Sequence, residues 1–166
     1  MRFSVAVVAA LATYVAAAPT QKRAVFTTQK YNDISISGGV AGNGKAEADA
    51  VFAALDLNDL ANADEADVDF LKSVNSIANK AEVGVFNPAI EAASGEAAAA
   101  LQRGKIKNKI LKITATMLRL GVEKAQGEDV DAEIAAEQKK LDNNISQDTA
   151  AKGKASTFLA FDATTA

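Results

Sequence analysis

The chain has no cysteine, no histidine and no tryptophan, and only two prolines in 166 residues. Without cysteine no disulfide can form, so the fold must be held by packing alone, unlike many small secreted domains. Without histidine or cysteine, no nucleophilic triad that uses either residue is available. Paired carboxylates remain, as in glycosidases, but aromatic residues make up 5% of the chain, which supplies little for stacking sugars in a cleft. Ser-Lys chemistry is open by composition, yet no motif supports it. Function has to be argued from a site, and no catalytic constellation is visible. The expectation is a protein that is not an enzyme and uses no cofactor.

What is present begins at the N-terminus. Arg2 supplies a positive start, Phe3 to Ala18 is almost wholly apolar, and the run closes on Val15-Ala16-Ala17-Ala18. Those are the marks of a secretory signal peptide, and the run is shorter than the roughly 20 apolar residues of a membrane span. Cleavage is expected after Ala17 or Ala18, and Pro19 makes the cut directly before it less favourable, so Ala17 is preferred. A short polar segment then ends in Lys22-Arg23, a dibasic pair of the kind read by kexin-type proteases. The expected organisation is a signal peptide over residues 1–17, a pro-segment over 18–23 and a single helical domain over 24–166.

Removing the first 23 residues leaves 143, enough to bury a real core, and takes the 18 basic residues to 15 against 21 acidic, a net charge of −6. An acidic balance argues against nucleic acid as a partner. No later stretch could span a bilayer, and the C-terminus is too short and polar for a lipid-anchor signal. The protein is expected to be secreted and extracellular, with no transmembrane anchor.

Residues 24–44 are rich in Thr, Ser and Gly and hold the short alternation Ile34-Ser35-Ile36-Ser37. They predict an edge strand or an extended arm that packs Tyr31, Ile34 and Ile36 onto the rest. Beyond Gly44, alanine makes up a large share of the chain and apolar residues recur at helical spacing. Helices are predicted over 45–62, from Asp64 as N-cap to near Gly84, from Asn87-Pro88 to Ala93, over 97–126, and from Glu128-Asp129 toward Gly153. The long fourth one carries Ile106, Ile110, Ile113, Met117 and Leu120 at alternating steps of 4 and 3, the seam of a central helix. The predicted fold is all-α: a compact four- to five-helix bundle with an extended N-terminal arm.

Four motifs compete for attention. Gly39 to Ala46 nearly spells a phosphate-binding loop, but Ala46 stands where a magnesium-binding hydroxyl is needed, so a plain flexible turn is expected. Asp56, Asp59, Asp64, Glu65, Asp67 and Asp69 cluster densely, yet without the glycine and closing glutamate of a calcium loop, and no metal site is assigned. Lys105, Lys109, Lys112 and Arg119 share one helix face opposite the isoleucine seam, a candidate docking surface for anionic lipid, polysaccharide or an acidic partner protein. Asn144-Ile145-Ser146 is a glycosylation sequon on the last helix.

The leader, the Lys-Arg pair and the cysteine-free, alanine-rich body together resemble small secreted proteins of filamentous ascomycete fungi. The phrases Tyr31-Asn32-Asp33-Ile34-Ser35-Ile36-Ser37-Gly38-Gly39, Gln102-Arg103-Gly104-Lys105-Ile106-Lys107-Asn108-Lys109 and Leu141-Asp142-Asn143-Asn144-Ile145-Ser146-Gln147-Asp148 carry that resemblance. It implies an extracellular protein of candidate-effector type, acting on a host or neighbouring organism through an unknown host or cell-surface protein or an anionic surface. The other reading is an extracellular helical carrier or surface-binding protein for lipids or hydrophobic ligands.

Overall fold

In a computed structural model that describes residues 23–166, one helix organises the rest. Ala17, Lys22 and nearly all of the leader lie outside the described residues. The chain runs through a single helical turn α1 (Tyr31–Ile34), α2 (Gly44–Val51), a 3-10 turn (Leu60–Asn62), α3 (Glu65–Ala81), a π segment (Glu82–Phe86), α4 (Asn87–Ala92), α5 (Gly95–Ala125) and α6 (Asp131–Ala150). No strand forms among the described residues, only the isolated bridges Lys30–Thr164 and Val40–Ala155. The all-α bundle is therefore as predicted.

Helix α5 packs against α2, α3 and α6, and the isoleucine seam explains why. Ile106, Ile110, Ile113 and Leu120 are buried, and so are Leu111, Ala115 and Val122 on the widened stripe. Facing them are Phe70, Leu71, Val74, Ile77 and Ala81 of α3 and Leu141 of α6. Burying side chains of this size stabilises by about 1.5–3 kcal/mol each before conformational entropy is counted. Asp64 does cap α3, its carboxylate accepting from the Ala66 N–H at 2.9 Å, while Glu65 and Asp67 load the first turn with the charge the dipole favours.

Two helix boundaries differ from expectation. The helix predicted over 45–62 stops at Val51, and Phe52 and Leu55 turn inward to the core. Asp56 accepts from the Asn58 N–H at 2.9 Å, a local bond that competes with helix continuation. Asn87-Pro88 opens α4, but Asn87 does not cap a free helix start. Phe86 and Asn87 have helical dihedrals, and α3 runs through the π segment straight into α4. Pro88 has no N–H to give, and wider turns just before it let the helix pass a residue without a donor.

The arm and the tail form the second part of the structure. Tyr31, Ile34 and Ile36 are buried, as the arm reading requires, with one helical turn in place of a strand. The C-terminal residues after α6 run back alongside this arm: Tyr31 N–H donates to the Ala163 carbonyl at 2.9 Å and Thr165 N–H to the Gln29 carbonyl at 2.8 Å. Ser156 N–H donates to the Gly39 carbonyl at 2.9 Å, and Thr157 N–H to the Ala100 carbonyl of α5 at 3.0 Å. Phe161 meets the Tyr31 ring edge to face at 5.8 Å. Both segments thus strap across the N-terminal half of α5.

Candidate functional site: a lysine and asparagine cleft

The strapped half of α5 is polar inside. Lys107 is 1% exposed, and its ammonium donates to the carbonyls of Gly38 at 2.6 Å and Val40 at 3.2 Å and pairs with Glu47 at 2.7 Å. Three donors meet three acceptors, the full capacity of an ammonium. One turn earlier, buried Arg103 donates to the Ala155 carbonyl and pairs with Glu96. Between them Gly104 lets the tail cross: a Cβ there would lie 2.2 Å from the Thr157 carbonyl oxygen. Asn108 accepts from the Tyr31 hydroxyl at 2.8 Å and donates to the Ala78 carbonyl at 2.9 Å, joining arm, α5 and α3.

This geometry corrects the flexible-turn expectation for residues 39–45. The loop is pinned: the Gly38 and Val40 carbonyls accept from Lys107, those of Gly39 and Ala41 accept from Ser156 and Gly153, and the N–H groups of Ala41 and Gly44 are spent on Lys154 and Asp148. A phosphate-binding loop presents N–H groups to its ligand, so the arrangement here is the reverse of one. The acidic cluster is also accounted for locally. Asp59 accepts from Asn62, Asp64 caps α3, Asp69 faces Lys72, and Asp67 accepts from the arm. Among the described residues no group of acids is placed to hold a metal ion.

The predicted basic face separates into two. Lys109 and Lys112 both turn to one carboxylate, Glu82, at 3.7 and 2.8 Å, and Lys112 also donates to Asn79 at 3.1 Å. Burial works against the charge on Glu82, but the Lys112 hydrogen bond and the charges of Lys112, Lys109 and Lys105 outweigh it and hold the carboxyl below its ordinary value. Arg119, two turns on, is tied to Glu123 by bonds of 2.5 and 2.6 Å, with Glu133 at 3.9 Å. The structure brings Lys109 and Lys112 together on one acid, which also feels the charge of Lys105, and leaves Arg119 apart from them.

Lys109 and Lys112 line a cleft of about 390 Å³ whose other walls include Lys140, Asn75, Asn79, Asn143 and Asn144. Sequence reasoning missed Lys140, Asn75, Asn79 and Asn143, and did not join Asn144 to the lysines, because these residues come from α3 and α6 and only packing unites them. Asn144, the sequon residue, is 5% exposed and its amide donates to the Lys140 carbonyl at 2.7 Å. A second groove of about 420 Å³ lies on another side of α5, lined by Phe52, Leu55, Leu57, Met117, Leu118 and Leu141. Thr114 also lines it, buried, with its hydroxyl lacking a hydrogen-bond partner.

Fold and site define a strapped helical bundle with a cationic, amide-rich cleft. A family model described as a domain of unknown function (DUF8454) matches residues 26–160. The chain belongs to that family, which takes in the arm, the central helix and most of the tail. No curated protein and no solved structure matches this chain.

Proposed function

We propose that this chain is a secreted, non-enzymatic interaction protein of fungal effector type, which docks an anionic group of a host or cell-surface partner. The observation that carries the reading is the cleft, where Lys109, Lys112 and Lys140 stand among four asparagines in a protein that is acidic overall. Glu82 and Glu137 offset only part of this positive charge. Ammonium groups supply attraction to a carboxylate or sulfate, and side-chain amides supply donors and acceptors for neighbouring hydroxyls. The probe is an immobilised uronic-acid polysaccharide. Binding should weaken steeply with salt, since exposed charges are screened over about 10 Å at 0.1 M. Lys109→Ala with Lys140→Ala should abolish it, while Lys72→Ala with Lys139→Ala should leave it unchanged. Equal binding by both double variants would refute the cleft.

The carrier reading is favoured by one separate observation, the apolar groove with the unpartnered Thr114 hydroxyl. Its volume lies at the lower end of the range for small-molecule sites. Displacement of a fluorescent fatty-acid probe, lost in Met117→Lys, would support it. Failure of the parent protein to bind the probe would exclude it.

A further inference from the structure

The arm docks immediately after the Lys-Arg pair, and the manner of docking is specific. The N–H groups of Val25 and Phe26 both donate to the same oxygen of Asp67, each at 2.9 Å. Asp67 is 2% exposed, at the start of α3. Phe26 is buried beside it, stacked on Phe70 at 4.5 Å and edge-on to Phe52 at 6.3 Å. Arg23 itself is exposed and lines a small cavity with Asp56, Asp59, Asp64 and Asp67. Successive backbone nitrogens are three bonds apart, under about 4 Å. The nitrogen of Ala24 therefore lies within about 7 Å of the Asp67 oxygen that already holds its two neighbours.

We propose that cleavage after Arg23 does more than remove a leader: it creates an ammonium at Ala24 that closes onto the buried Asp67 carboxylate and locks the arm to α3. The step is hydrolysis of the Arg23–Ala24 peptide bond by a dibasic-specific protease. Water adds across the amide, Arg23 leaves with the new carboxylate, and Ala24 keeps the nitrogen, which is protonated near neutral pH. A cation that belonged to the Arg23 side chain is replaced by one on the backbone, kept within about 7 Å of the Asp67 oxygen by its chain connection. The acids facing it are Asp56 and Asp59 from the turns after α2, and Asp64 and Asp67 from the start of α3. This inference rests on the processing expectation above, and its test separates the two.

An α-amino group ordinarily titrates at about 7.7–8.0, and four nearby acids favour its charged form. Its value in the folded chain should therefore be raised. The lock contributes its full stability below the unfolded value and loses it as pH rises through the folded one. Intact mass of the protein recovered from culture medium identifies the first residue. A first residue other than Ala24 overturns processing alone. The lock is then tested on a chain expressed to begin at Ala24, which contains every residue of the buried core. At pH 6 the free-amine chain should melt about 3 °C above its Nα-acetylated form, and the gap should close by about pH 10. Nuclear magnetic resonance titration should place the Ala24 amine above its ordinary value in the parent and back toward that value in Asp67→Asn, which keeps an acceptor for both amides. Equal melting of the two forms at pH 6, or an amine at its ordinary value in the parent, overturns the lock.

Discussion

The two halves of α5 are buried by different means. From Ile110 to Val122 the helix is enclosed by aliphatic side chains of α3 and α6, and nearly every inward group is apolar. From Arg103 to Asn108 it is enclosed by backbone straps, and besides Ile106, which continues the apolar seam, the inward groups are Arg103, Gly104, Lys107 and Asn108, each matched to a carbonyl, an acid or a crossing chain. Apolar burial is non-directional and tolerates repacking, whereas a buried ammonium stabilises only while every acceptor stays in place. The first half should respond to lost volume, and the second to lost partners.

Four changes sharpen that contrast, in falling order of effect. Leu111→Ala, at a fully buried position between the helices, should cost about 3–4 kcal/mol, within the range for such truncations, and lower thermal and denaturant stability without loosening the straps first. Gly104→Ala would gain about 1 kcal/mol of helix propensity, but its Cβ meets the Thr157 carbonyl at 2.2 Å. Backbone must shift, so a net loss of about 2 kcal/mol is expected, with the tail released; a variant as stable as the parent would contradict the crossing. Lys107→Met keeps the stem and removes the donor, leaving the Gly38 and Val40 carbonyls short of a partner. A loss of about 2 kcal/mol is expected from chemical denaturation, reduced because Glu47 is partly exposed and can be solvated. The smallest effect is at Glu82, whose folded carboxyl lies below its ordinary value. Its contribution is present above the unfolded value and is lost as pH falls through the folded one. Glu82→Gln should therefore flatten the acid limb of a stability-against-pH curve and change little in its shape above pH 6.

The same contrast decides what could be read from the sequence. Periodicity revealed the apolar half, because Ile106, Ile110, Ile113 and Leu120 announce a buried stripe by spacing alone. Asp64 was legible for a similar reason, since a cap needs only its own following turn. The polar half was not legible. Lys107 looks like one more member of a basic run, and its acceptors are carbonyls about seventy residues away in sequence. A glycine inside a long helix was the one available signal: Gly104 is costly for propensity, and such a glycine points to a close crossing. Asn87-Pro88 misled because its local start signal is strong, whereas the π segment that carries the helix past it depends on register set further back. Of the basic face, helical spacing placed Lys109 and Lys112 on the cleft, but the partner walls and the separate ion pairs of Arg119 are products of packing.

The measurement that tests the account most directly is native-state hydrogen exchange, residue by residue, on the parent and on Lys107→Met. Amides that bind the straps, those of Ala41, Ser156 and Thr157, should lose protection by about tenfold or more, which corresponds to about 1.4 kcal/mol of local opening. Amides of the apolar half, such as Leu71 and Leu111, should follow only the change in global stability. Strap amides that keep their protection relative to those of Leu71 and Leu111 would contradict the claim that a buried lysine holds the straps to the central helix.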